Sequence, residues 1–226
     1  MIATDAFALN QPLAARDIRL MPMSDPSDDP KPDADFDGDV EWTDRTLRLP
    51  PGDRSLAGTM QEGRDFMFAE LSGVDLTEAD FYWAMFHDAV LAGAIMARCD
   101  LRGATLNGAN LRGADLSNAN CGLDNLGGST DFIKADLSGA DLRNANIAGA
   151  DFTNALLVGA NLSGVRTVSP LPDRPARFNG ANLSEARLSG ADLSGALYDE
   201  GTVFPDGFNP KRANMVATRR KTRPQE

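Results

Sequence analysis

The stretch Cys99-Asp-Leu-Arg-Gly, Ala104-Thr-Leu-Asn-Gly, Ala109-Asn-Leu-Arg-Gly, Ala114-Asp-Leu-Ser-Asn, Ala119-Asn120 decides the fold. A small residue, then usually Asp or Asn, then a large apolar centre, then two small or polar residues recur every five positions. A helix repeats at 3.6 residues and a strand at 2, so a strict period of five marks a supersecondary unit rather than either element. Such internal repetition dictates architecture before any local propensity does.

Working outward from this stretch, the apolar centres run Phe66, Leu71, Leu76, Phe81, Phe86, Leu91, Met96, Leu101, Leu106, Leu111, Leu116, Cys121 and Leu126. A slip of one residue near Gly127-Gly128-Ser129 precedes Phe132, Leu137, Leu142, Ile147, Phe152, Leu157 and Leu162. The segment SPLPDRP then interrupts, and Phe178, Leu183, Leu188, Leu193 and Tyr198 resume the series. This pattern resembles the pentapeptide-repeat family, whose consensus is A(D/N)LXX, over roughly two thirds of the chain. The resemblance implies an all-β fold, a right-handed quadrilateral parallel β-helix with four pentads per coil. In that fold the centre and the small residue two before it point inward, and stacked coils pair their backbones at about 4.8 Å. One coil cannot bury its own centre, so stacking makes the core.

The four-pentad coil is testable within the sequence. With both irregularities looped out, Phe132, Phe152, Phe178 and Tyr198 fall on one face in successive coils, which predicts an unbroken solenoid of about six and a half coils. The expected organisation is an acidic, Pro-rich, largely disordered or capping segment over 1–62, the solenoid over 63–205, and a cap remainder with a basic tail over 206–226. Tyr198 to Pro210 resembles the closing segment of bacterial members of the family, with Phe204 and Phe208 plugging the last coil. Lys211, Arg212, Arg219, Arg220, Lys221 and Arg223 make the tail basic.

The N-terminal run SDPSDDPKPDADFDGDVE has many acids and little to bury, so disorder is expected. Within it, Asp33, Asp35, Asp37, Gly38, Val40 and Glu41 match the spacing of a calcium loop, with Asp44 where a bidentate Glu normally sits. Pro30, Pro32, Pro50 and Pro51 leave little room for bracing helices, so a solvated acidic linker and a calcium loop both stay open. Met21 and Met23 are alternative starts. The chain has 226 residues and a formal net charge of -11, which opposes direct nucleic-acid binding. No apolar run approaches membrane-spanning length and residues 1–20 have no signal-peptide core, so a soluble, cytoplasmic protein is expected, with no membrane partner.

Cys99 and Cys121 fall about one coil apart on the same face and read as buried hydrophobes, while His87 follows its centre and faces solvent. No nucleophile with a base, no metal cluster and no phosphate loop appears, so no catalytic residue, metal site or cofactor is assigned and the chain is read as no enzyme. The outward positions of the first coils are unusual: Met67, Phe68, Tyr82, Trp83, Met85, Val90 and Ile95 read as an exposed apolar patch. The sequence leaves two covers for it: the N-terminal segment through Trp42, Leu47 and Leu49, or a protein partner of unknown identity. The favoured function is a scaffold that presents its faces or loops, Ser169 to Arg174 among them, to a protein partner; homodimerisation through a solenoid end is a further expectation. The alternative, which the resemblance implies, is a DNA-mimicking modulator of DNA gyrase or topoisomerase IV. Outward Asp75, Asp80, Asp100, Asp115, Asp136, Asp141, Asp151 and Asp192 favour it, whereas interleaved Asn and Arg102, Arg112, Arg143 and Arg187 oppose it.

Overall fold

The computed structural model describes residues 55–169, 171 and 173–218. The chain divides into two units, Met1–Arg45 and Thr46–Glu226, and every described residue lies in the second. The acidic run, the calcium-like loop, the proposed cap of Trp42, Leu47 and Leu49, and the tail beyond 218 therefore lie outside the described residues.

The backbone hydrogen bonds of one pentad show why the period is five. In the pentad centred on Leu76, the Leu76 N–H bonds the Ile95 carbonyl of the next coil (2.8 Å), Glu78 N–H bonds Ala97 O (2.9 Å), and Ala79 N–H closes the turn on Leu76 O (3.1 Å). The neighbouring Asp80 N–H bonds back to Thr59 O (2.9 Å). Only Thr77 N–H then lacks a backbone partner, and the Asp75 carboxylate accepts it at 3.0 Å. The same side-chain cap recurs at Asp80 to Tyr82, Asp115 to Ser117, Asp136 to Ser138, Asn161 to Ser163 and Asn182 to Ser184. Buried or crowded N–H groups require partners, and either Asp or Asn supplies the oxygen, which is the physical content of the D/N position.

A turn closes each pentad. The second residue after each centre has positive φ, at Gly73 (65°), Glu78 (59°), Trp83 (58°) and onward through the coils. This conformation suits glycine and is unfavourable for bulky side chains, so Phe68 and Trp83 occupy it at a cost. Each pentad turns the chain onto the next face. Parallel pairing of Ser55 with Asp75, Met60 with Asp80, Asp65 with Met85 and Glu70 with Val90 makes four faces and a coil of 20 residues. The first face carries centres Leu56, Leu76, Met96 and Leu116; the second carries Gln61, Phe81, Leu101 and Cys121; the third, Phe66, Phe86 and Leu106; the fourth, Leu71, Leu91 and Leu111.

The core is the line of these centres with the Ala residues two before them, nearly all inaccessible. On the third face Phe132, Phe152 and Phe178 stack with centroid spacings of 4.8 and 5.2 Å at interplanar angles of 3° and 4°. Tyr198 takes the next position on that face, turned edge-on to Phe204 at 5.5 Å, and Phe204 stacks on Phe208 at 5.1 Å. The last rung is β1 (Leu197–Tyr198) paired in parallel with β2 (Val216–Ala217).

Three sequence expectations are corrected. Among the described residues pairing already runs at Ser55, upstream of 63, and reaches Ala217, past 205, because Leu56 and Gln61 serve as centres and β2 extends the third face. Leu126 is no centre: it is 84% exposed. Thr105 pairs with Asp131, so a whole pentad and one more residue leave the coil, where a slip of one residue was expected. The aromatic column survives because a coil still holds four inward pentads once 122–129 are looped out.

Candidate functional site

Both excursions leave the solenoid at the same corner, between the second and third faces. Loop 1, residues 122–129, stands where a regular corner such as Ser117-Asn118 uses a two-residue turn. Loop 2, residues 168–175, does the same between Thr167 and Ala176, since Asp151 pairs with Arg177 and Asn146 with Arg166. One regular coil, with Ala148-Gly149 at this corner, separates them.

Polar anchors hold the loop ends. Thr130 is buried and its hydroxyl donates to Leu101 O (2.7 Å); Thr167 is buried and donates to Asp192 O (3.0 Å). Asp124 is the hub of loop 1. Its carboxylate accepts Leu126 N–H (2.8 Å) and Gly128 N–H (2.5 Å) on one oxygen, and Trp83 Nε1 (2.9 Å) and Tyr82 OH (3.1 Å) on the other. Burial acts to push the Asp124 carboxyl up, but these donors outweigh it and hold it below the usual carboxylate range.

Close approach along this corner requires glycine. A Cβ on Gly103 would lie 2.9 Å from the Trp83 indole, and one on Gly128 would lie 2.8 Å from it. The indole thus rests on the backbone of the next coil and against loop 1. A Cβ on Gly149 would lie 2.5 Å from Leu123 of loop 1 and 3.1 Å from the Arg174 carbonyl of loop 2. Arg174 also donates to Gly127 O at 3.0 Å, joining the two loops into one ridge. Trp83, Leu126, Val168 and Leu171 remain exposed along it. Arg102, paired with Asp100, lies 5.5 Å over the Tyr82 ring.

The apolar residues singled out in the sequence do not form one patch. Tyr82 and Trp83 belong to the ridge. Phe68 sits at the corner of the third and fourth faces, while Met85 lies on the third face, Val90 on the fourth and Ile95 on the first. The reason is the turn in each pentad, which sends residues five apart to successive faces. Loop 1 is the part of the site that the sequence reading missed. Its signal was Asp124, a charged residue two before Leu126, where an inward centre demands a small one.

The acids are committed locally. The Thr77 hydroxyl and N–H hold Asp75 below its ordinary value; at Asp141, burial is outweighed by Arg143, which pairs with it at 2.6 Å. Asp136 behaves alike, burial being offset by Ser138 and Arg112. Asp131, at the end of loop 1, is raised by burial, with Ser129 opposing. Buried Cys99 is pushed up to about 12 by burial, and Cys121 is raised by burial too, which makes both thiols poor nucleophiles. Among the described residues no group of three His, Cys, Asp or Glu could hold a metal ion.

The sequence model of pentapeptide repeats matches in 8 copies over residues 65–93, 84–120, 129–166 and 176–197, together just over half the chain. The chain belongs to the pentapeptide-repeat family and has its right-handed quadrilateral β-helix. The matched segments leave out 121–128 and 167–175, where the two loops lie. Among solved structures, the chain is similar to a pentapeptide repeat protein of the Arabidopsis thaliana thylakoid lumen, 35% identical, covering 44% of this chain and 68% of that one at a TM-score of 0.36. It is similar to HetL, a pentapeptide repeat protein involved in heterocyst differentiation regulation in Nostoc sp. PCC 7120, 26% identical, covering 73% and 84% at 0.32. QnrB1, a plasmid-mediated fluoroquinolone resistance protein, is 20% identical, covering 73% and 89% at 0.30. No curated protein sequence matches the chain.

Proposed function

We propose that this protein is a non-enzymatic interaction scaffold, and that the ridge of loops 1 and 2 is its recognition edge for a protein partner. The observation that carries this is the fusion of two excursions at one corner, tied by Arg174 to Gly127, with Leu126 and Leu171 left exposed. Regular corners need neither the extra residues nor the apolar side chains, and loops on rigid scaffolds are where binding residues concentrate. The described thiols are buried and the carboxylates are engaged in turns, which fits a role without catalysis.

The test is affinity capture from the native host with the wild-type chain and with a Leu126→Asp/Leu171→Asp variant. A protein retained by the first and lost by the second, at an unchanged unfolding midpoint, supports the reading; equal retention overturns it. The gyrase or topoisomerase reading rests on net acidity. Capping accounts for the acid ladder without DNA mimicry, since Asn161 and Asn182 do the same work as Asp115. Loss of gyrase supercoiling activity at micromolar protein would nonetheless restore it.

A further inference from the structure

We propose that the surface around loop 2 binds an acidic protein segment carrying an apolar side chain. This names the partner chemistry for the scaffold reading and rests on it. The starting observation is a broken rule. The position before each centre normally holds Asp or Asn, whose oxygen caps the N–H two residues on. In the sixth and seventh coils it holds Arg166 on the second face, Arg177 on the third and Arg187 on the first. Arginine has no acceptor, so the caps at these three pentads are forfeited. The cap is also forfeited at Met85, Val90, Ile95 and Leu156, so what sets these three positions apart is charge: a fixed cation stands where the fold asks only for an acceptor.

These guanidinium groups are exposed, and none forms an ion pair among the described residues. One carboxylate stands beside Arg166 and one beside Arg177 on the ladder, neither within ion-pair distance, and each is also engaged in a turn. Asp192, beside Arg166, accepts Ser194 N–H at 3.1 Å, and Asp151, beside Arg177, accepts Thr153 N–H at 2.8 Å. In the earlier coils four of the five described arginines are paired, Arg98, Arg102, Arg112 and Arg143, and only Arg64 is not. Arg166 and Arg177 flank loop 2 on either side. Beneath that loop is a cleft lined by Thr167, Val168, Leu171, Pro175, Ser194 and Gly195.

Arginine forks match carboxylates, and the cleft at the loop these two arginines flank in sequence, with Val168, Leu171 and Pro175 beside the hydroxyls of Thr167, Ser169 and Ser194, suits a side chain such as leucine. A nucleic acid fits less well, because its phosphate chain offers no aliphatic side chain for the cleft.

The test uses the full chain and a short fluorescein-labelled peptide of glutamates interrupted by leucine, read by anisotropy. Binding is expected at low salt, weakening as salt is added. Arg166→Glu/Arg177→Glu should weaken it about tenfold or more, Arg166→Gln/Arg177→Gln should weaken it less, and replacing the leucine by serine should also weaken it. The Gln variant keeps the test valid if charge reversal impairs folding. No peptide binding, equal binding by the Gln variant, or tighter binding of an oligonucleotide of equal charge overturns the proposal. If the peptide fails while capture through Leu126 and Leu171 succeeds, the scaffold reading stands and this assignment falls.

Discussion

Two corners of the same coil teach opposite lessons. At the corner between the first and second faces, Ser117-Asn118 turn the chain in two residues, capped by Asp115. At the next corner, loop 1 takes 122–129 to do the same, with Asp124 holding it to Tyr82 and Trp83. The core passes both without a change in pairing: Asp115 pairs with Asp141 and Asn120 with Asn146. Coil geometry is therefore set by the inward centres and coil-to-coil bonds, and corner length is free to carry function.

The contrast breaks first at the centres. Phe152→Ala removes a fully buried ring between two stacked partners and should cost about 3–5 kcal/mol, read as a fall in urea midpoint. The corner is the second place to press. Gly149→Ala places a Cβ 2.5 Å from Leu123 at a φ of 77°, and should cost about 1–3 kcal/mol while loosening both loops. The same change at Gly113, with nothing within 4 Å of the added Cβ, isolates the cost of φ alone, about 1–2 kcal/mol.

Legibility in the sequence follows the same division. The third-face column was readable because inward centres obey a rigid count of four, and both interruptions preserve it. Loop 1 was misread because Asn125-Leu126-Gly127-Gly128 mimics a pentad, and only Asp124 betrays it. The first coil was missed because Gln61 stands at a centre, although Gly58 and Gly63 marked its turns. The ridge itself was illegible, since contacts such as Trp83 to Asp124 join residues of different coils and no local spacing encodes them.

Smaller effects sharpen the picture. Asp124→Ala should leave global stability within about 1–2 kcal/mol but change Trp83 fluorescence and open loop 1 to proteolysis. Because the folded-state value of Asp124 is depressed, its contribution is present above the ordinary carboxylate pKa of about 3.9. It is lost as pH falls through the depressed folded value, so the fluorescence change should appear only in acid. Smallest of all, Asp115→Asn keeps the cap on Ser117 and should shift stability by less than about 0.5 kcal/mol, whereas Asp115→Leu should cost about 1 kcal/mol.

Amide hydrogen exchange across residues 115–140 tests most directly whether loop 1 is an excursion from one continuous solenoid. The account predicts strong and equal protection at the N–H groups of Cys121 and Phe132, which bond Asn146 O and Asp151 O, with faster exchange at 125–127 between them. Protection that drops at Cys121 and differs on the two sides of the loop would mean two separately opening units, and would contradict it.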